Sequence, residues 1–267
     1  MKIALLQLNA TADVDANLAA LLEAGQSAAY QGARLLLAPE AATCAFDGDP
    51  GAFARERATE VHERLATAAR QWNVAFVVGS FTAAEDGRIH NTQLAFLPDG
   101  VWRAYDKIHL FDAFGHLESE TIAPGSTPVT FSFEGVRFGM STCYDVRFPE
   151  LYTRLARDGA HALLVGASWG DGPGKAAQWD TLTRARALDA ASWVLACGQS
   201  VRDLERVGEP TGAPLGVGHS AVVRPDGIDV TRAGASPEIV YAEIDVTAAE
   251  DFRRAVPVLR HGRLRGA

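Results

Sequence analysis

Cysteine is scarce in this chain. The 267 residues include three, Cys44, Cys143 and Cys197, far apart and with no C-x-x-C pair. An odd, scattered set argues against a disulfide framework and suits a reducing compartment. Positive charge is also short, with 25 Lys and Arg against 33 Asp and Glu and a formal charge of −8. That leaves no electrostatic footprint for nucleic acid, and solubility is sufficient explanation for the acidity. No apolar run reaches the roughly 18–20 residues needed to cross a bilayer. The opening, MKIALLQLNATADVD, carries one lysine and a short apolar run that meets Asp13. It reads as a first strand rather than a signal peptide, so a cytoplasmic protein with no membrane partner is expected. No tight His/Cys/Asp cluster offers a metal site. A linker rich in Gly, Ser and Pro is missing too. Gly208–Gly218 is the nearest candidate and reads as a surface loop, so residues 1–267 are expected to form one domain. The tail, about 257–267, ends in the basic stretch RHGRLRGA and is expected to be loose or packed on a partner.

What is present is a regular alternation of strand and helix patterns. Lys2–Leu8 reads as a buried strand, Asn17–Tyr30 as a helix that Gly32 can end, and Arg34–Ala38 as a second strand closing at Pro39-Glu40. That is a βαβ unit. Glu56–Trp72 reads as a helix and Val74–Ser80 as a strand. Three turn signals then mark hairpins: Pro98-Asp99-Gly100, Glu134-Gly135 and Pro225-Asp226-Gly227. From Val136 the opening layout recurs: a strand to Cys143, a helix over about 149–157, a strand at Ala162–Val165, a helix at Ala176–Ala191 and a strand at Trp193–Gln199. Ile239–Ile244 adds a last strand and Thr247–Val256 a last helix. Hairpins among βαβ units predict mixed sheets with helices outside, in two similar halves.

In open α/β sheets ligands gather at the carboxyl ends of strands. Two reactive side chains fall there, Glu40 after RLLLAP and Cys143 after VRFGMST. A third, Lys107, follows the alternating run Val101–Tyr105. A thiol on a sharp turn between strand and helix can project into a cleft, whereas most free cysteines simply fill core space. A carboxylate ending a buried strand is an awkward core residue, because burial disfavours its charge.

The segments KIALLQLNA, LLLAPEAA, YDKIHLFD, STCYDVRFPELY, WDTLTRARALD and GHSAVVRPDG, in this order and spacing, run through essentially the whole chain. In them the sequence resembles the nitrilase-type carbon–nitrogen hydrolases, on the amidase branch similar to the omega-amidase and Nit-type proteins. The resemblance implies a four-layer αββα sandwich with two mixed β-sheets flanked by helices, assembled as a homodimer or larger. It also implies a triad of Glu40, Lys107 and Cys143, with Glu118 as a second glutamate. The expected activity is hydrolysis of a small linear amide to acid and ammonia, without a cofactor. A thioester on Cys143 would be the intermediate, with Glu40 as general base, Lys107 stabilising the oxyanion, and the Tyr144 backbone N–H as a second donor. An N-carbamoyl hydrolase would use the same triad, and a non-catalytic or redox thiol protein on the same fold stays open. Two stretches depart from the family pattern and bear on substrate choice: Gln178-Trp179-Asp180, where amidases often carry His-Trp-Glu, and FDAFGHL between Lys107 and Glu118.

The remaining candidates each have two readings. Arg147 can pair a substrate carboxylate or an internal one. Tyr144 and Trp169 can line a pocket or simply pack. Cys44 is read as a bystander and Cys197 as core. A Cys–His dyad is the rival mechanism, with His109, His116 and His219 as its possible bases.

Overall fold

In Lys2–Gln7 the pairs Ile3/Leu5 and Ala4/Leu6 point to opposite faces, and all four side chains are buried. A strand buried on both faces needs a layer on either side. The computed structural model, which describes residues 1–208 and 214–263, supplies both layers. Ile3 and Leu5 join a core shared with the second sheet, while Ala4 and Leu6 join one formed with helices.

The first half runs β1 (Lys2–Gln7), α1 (Val14–Tyr30), β2 (Leu35–Leu37), α2 (Pro50–Ala52), a π-helical turn (Phe53–Arg57), α3 (Ala58–Trp72), β3 (Ala75–Ala83), β4 (Ile89–Phe96) and β5 (Trp102–Asp106). A small hairpin, β6 (Asp112–Ala113) and β7 (His116–Leu117), follows. The second half runs β8 (Thr130–Phe133), β9 (Val136–Thr142), α4 (Pro149–Arg157), β10 (Ala162–Ala167), α5 (Lys175–Ala190), β11 (Trp193–Gly198), β12 (Ala221–Val223) and β13 (Asp229–Arg232). The chain then returns with β14 (Glu238–Glu243), α6 (Val246–Ala255) and α7 (Val258–His261).

The first sheet is ordered β14-β1-β2-β3-β4-β5 and the second β13-β12-β11-β10-β9-β8. β1, β2 and β3 are parallel, as are β9, β10 and β11, and every other pairing in the two large sheets is antiparallel. Helices α1 and α3 cover one sheet; α4 and α5 cover the other. This is the αββα sandwich of two mixed sheets expected from the sequence. Asp13 caps α1 by accepting from the N–H groups of Asp15 and Ala16, and Gly32 follows its end at φ 75°.

The sharp turn read between strand and helix is a 3₁₀ turn, Cys143–Arg147, between β9 and α4. Two local readings change. The tail is not loose from residue 257: α7 packs beside α4 and α5, with Leu259 against the core, while residues 264–267 lie outside the described residues. The Gly208–Gly218 stretch is not wholly a surface loop, since Val217 is buried; its residues 209–213 also lie outside the described set.

Candidate active site

Glu40 follows β2 on a turn that reaches between the sheets, with Ala41 at φ 57°. Two glycines let it in. A Cβ on Gly79 of β3 would lie 2.4 Å from the Pro39 carbonyl oxygen and 2.5 Å from the Glu40 Cα. A Cβ on Gly166 of β10 would lie 3.1 Å from the Glu40 nitrogen. The first closeness is impossible without moving backbone, and the second is merely tight. The Gln199 side chain also donates to the Glu40 carbonyl at 2.9 Å.

The Glu40 carboxylate is 1% exposed and fully engaged. Oε1 accepts from Lys107 Nζ at 3.1 Å and from Asn91 Nδ2 at 2.7 Å, and Oε2 accepts from the Ser168 N–H at 2.7 Å. Lys107 Nζ also donates to both oxygens of Glu118, at 3.0 and 2.9 Å. Glu118 takes further bonds from Asn91 Nδ2 at 3.2 Å and the Phe111 N–H at 2.7 Å. One buried cation thus lies between two carboxylates, each tied down by neutral donors. Burial alone would lower the Lys107 pKa, but the Glu40 and Glu118 charges, aided by Cys143, more than reverse it and raise it. Lys107 is therefore a permanent ammonium at this site. Removing Lys107 would leave two buried carboxylates without their cation, and breaking even one buried pair in this way typically costs about 3–5 kcal/mol.

Cys143 opens the 3₁₀ turn after β9 with φ 49°. That left-handed conformation costs a non-glycine residue about 1–2 kcal/mol. Its thiol is held well above the ordinary pKa, first by burial and next by the Glu40 carboxylate, while Lys107 pulls the other way. The resting thiol therefore keeps its proton, with a carboxylate ready to take it.

Glu40, Lys107, Glu118 and Cys143 all line one cleft of about 840 Å³, large for a small-molecule site. Tyr144, Arg147 and Trp169 line it as well. The guanidinium of Arg147 lies 4.9 Å from the Trp169 ring centre and 6.0 Å from that of Tyr144. It donates to the Gln178 side-chain oxygen at 2.7 Å. Among the described residues it forms no ion pair. Gln178, the first residue of the departing Gln-Trp-Asp stretch, thus orients the cleft's arginine. Trp169 donates from Nε1 to the Lys175 carbonyl, and Tyr144 meets Phe111 and Phe148 edge-on.

The histidines go elsewhere. His109 bonds Asp145 through Nδ1 at 2.8 Å and stacks on Phe148, because the chain turns after Asp106 and carries it away from Lys107's face. His219 bonds Asp180. His116 is an exposed residue of the small β6–β7 hairpin at the cleft's rim. Cys44 is buried with its Sγ 3.7 Å from the Ala45 carbonyl, and Cys197 is packed in the core against the Leu6 and Leu37 carbonyls. Asn91 was not singled out from sequence. Its signal is there, since Asn91 and Gln93 are polar residues at alternate positions of a wholly buried strand stretch. Among the described residues no group of three or more His, Cys, Asp or Glu is arranged to hold a metal ion.

Comparison with known proteins finds relatives along nearly the whole chain. The family model described as carbon-nitrogen hydrolase matches residues 2–254. A hydrolase of Mycobacterium tuberculosis is 43% identical over 98% of this chain and 95% of its own. Omega-amidase NIT2 of Homo sapiens is 32% identical over 98% of this chain and 95% of its own. The crystal structure of Saccharomyces cerevisiae Nit3, a member of branch 10 of the nitrilase superfamily, superposes with a TM-score of 0.82 at 30% identity. It covers 99% of this chain and 97% of that one.

Proposed function

Because the chain belongs to the carbon–nitrogen hydrolase family, we propose that it is an amidase that cleaves a small linear amide through a thioester on Cys143. The observation that carries this reading is the Glu40 carboxylate, shared between the Lys107 ammonium and the neighbourhood of a protonated thiol in an open cleft.

The steps follow from those positions. Glu40 takes the thiol proton as Sγ attacks the amide carbonyl, so the thiolate exists only as it is used. Negative charge develops on the carbonyl oxygen, which Lys107 Nζ and the Tyr144 N–H stabilise. Glu40 passes its proton to the departing nitrogen, ammonia leaves, and the acyl group stays on Sγ. Water enters, gives a proton to Glu40 and attacks the thioester; the acid departs and the thiol is restored. Glu118 keeps Lys107 charged and aimed throughout.

Arg147 points to the substrate's other end. A guanidinium in the cleft with a neutral side-chain partner, braced by two aromatic rings, is suited to receive a carboxylate bidentately. The preferred substrates are then monoamides of short dicarboxylic acids. This agrees with the 32% identity to a protein named as an omega-amidase. Ammonia release would be measured over such monoamides, neutral aliphatic amides of equal length, carbamoyl amino acids and nitriles. The monoamides should lead by at least about tenfold, and Arg147→Gln should erase that lead by raising KM. Equal turnover of neutral amides, or an unchanged preference in Arg147→Gln, would overturn the assignment of Arg147.

A further inference from the structure

Two residues before Lys107 lies Tyr105, and two residues after it lies His109. Both reach the same group, the carboxylate of Asp145, which itself stands two residues after Cys143. Tyr105 donates its hydroxyl to Asp145 Oδ2 at 2.6 Å. His109 gives its backbone N–H to Oδ1 at 3.0 Å, and its Nδ1 lies 2.8 Å from the same oxygen. The Thr142 N–H, immediately before the nucleophile, donates to Oδ2 at 2.9 Å. Asp145 is fully buried and touches neither the cleft nor the Glu40–Lys107–Glu118 cluster through any of these bonds.

A buried carboxylate with four donors from two chain segments is a rigid junction, since every group it gathers would be costly to leave unpaired. One segment carries Lys107, and the other carries Cys143 on its left-handed turn. No hydrogen bond joins Lys107 directly to the Cys143 segment. Beside the Glu40 carboxylate, which faces both side chains, a second link between oxyanion donor and nucleophile runs through the backbone-anchored Asp145.

We infer that Asp145 is a positioning residue that fixes the Cys143 turn relative to Lys107, so that the thiol and the ammonium meet the same carbonyl group. The inference rests on the reading of Cys143 as nucleophile given above. It extends that reading to a residue without a role in the bond-making itself. It also explains how a strained cysteine conformation persists: the carboxylate closes on the N–H just before the strained residue and on the strand opposite.

The test uses the full chain with Asp145→Asn, which keeps the side chain's shape but replaces one accepting oxygen by a donor. Three quantities are read: kcat and KM for ammonia release from the best amide, the rate of Cys143 alkylation by iodoacetamide, and Tm. Positioning predicts that kcat falls about 100-fold with KM within about threefold, because a displacement near 1 Å costs about that much. Alkylation should slow by about tenfold as the thiol loses its alignment with Glu40. Tyr105→Phe should lower kcat by about threefold or more, and should add almost nothing in the Asp145→Asn background, since both act through one carboxylate. A purely structural role predicts the opposite signature: Tm falls, the loosened cleft exposes the thiol, and alkylation speeds up. That result overturns the inference, as does a kcat within threefold of the parent. If Asp145→Asn does not fold, Tyr105→Phe decides: a kcat indistinguishable from the parent's overturns the inference. A parent that hydrolyses no amide would sink the amidase reading instead, and the alkylation rates would still judge Asp145.

Discussion

The two halves of this molecule are one arrangement used twice. In each, three parallel strands are flanked by one antiparallel strand on one side and an antiparallel pair on the other, β14 and β4–β5 in the first, β8 and β12–β13 in the second. The chemistry is not repeated. The end of β9 presents Cys143, while the end of β1 leads into Leu8-Asn9-Ala10. The end of β2 presents Glu40, while the end of β10 offers Ser168, whose N–H serves Glu40. The duplicated frame supplies carboxyl ends facing each other across one cleft; each half fills a different one. The lesson is that the site depends on how the halves meet more than on either half alone.

The sharpest break in that comparison is at the two glycines that admit the Glu40 turn, one from each sheet. Gly79 faces backbone atoms at distances no Cβ tolerates, whereas at Gly166 a Cβ would require its neighbours to give by only a few tenths of an ångström. Gly79→Ala should therefore destabilise by about 2–3 kcal/mol, as overpacking does, and lower kcat by about tenfold or more as Glu40 shifts. Gly166→Ala should cost about 1 kcal/mol and a smaller share of kcat. Denaturant unfolding and kcat on the same preparations give both numbers. Equal effects would mean that the turn is gripped alike from both sheets.

A smaller effect separates the halves by pH. His62, on α3 of the first half, is mostly buried against Phe53 and Phe96, and its Nε2 lies 2.7 Å from the Ser80 hydroxyl. Burial lowers its pKa to about 4. The folded protein thus binds this proton more weakly than the unfolded chain, whose histidine titrates near 6.5. Stability is lost as pH falls from about 6.5 towards 4, and nothing changes above that window. The full loss is up to about 3 kcal/mol. Because Ser80 also accepts from Thr43, three residues past Glu40, acid loosening begins on the Glu40 side. Urea unfolding of the parent and of His62→Gln at pH 7.5 and pH 4.5 checks this. The parent should lose about 2 kcal/mol more than the variant, and a parallel fall in both would assign the acid sensitivity elsewhere.

Much of this was legible in the sequence, and for a reason. Glu40 and Cys143 each end a periodic apolar run and Lys107 follows one, which made them candidates; the family resemblance grouped them as a triad and added Glu118. The hairpins at Pro98, Glu134 and Pro225 were equally plain from their turn residues. What escaped depends on contacts between distant residues. His109 alternates with Lys107 and was a candidate base, yet Asp145, 36 positions away, takes its backbone N–H and its Nδ1. Asn91 bridges two glutamates that lie 51 and 27 positions from it. The β6–β7 hairpin has strands of two residues, too short for any period to show, and its turn at Phe114-Gly115, both at positive φ in the structure, was not read from the sequence.

The central claim is that the two halves meet to make an acyl-cysteine. Rapid quenching in acid during turnover of a dicarboxylate monoamide, followed by intact-mass and peptide mass spectrometry, tests it most directly. The predicted species is the protein plus substrate less one ammonia, mapped to Cys143 and absent in Cys143→Ala. Ammonia release that continues undiminished in Cys143→Ala would contradict it.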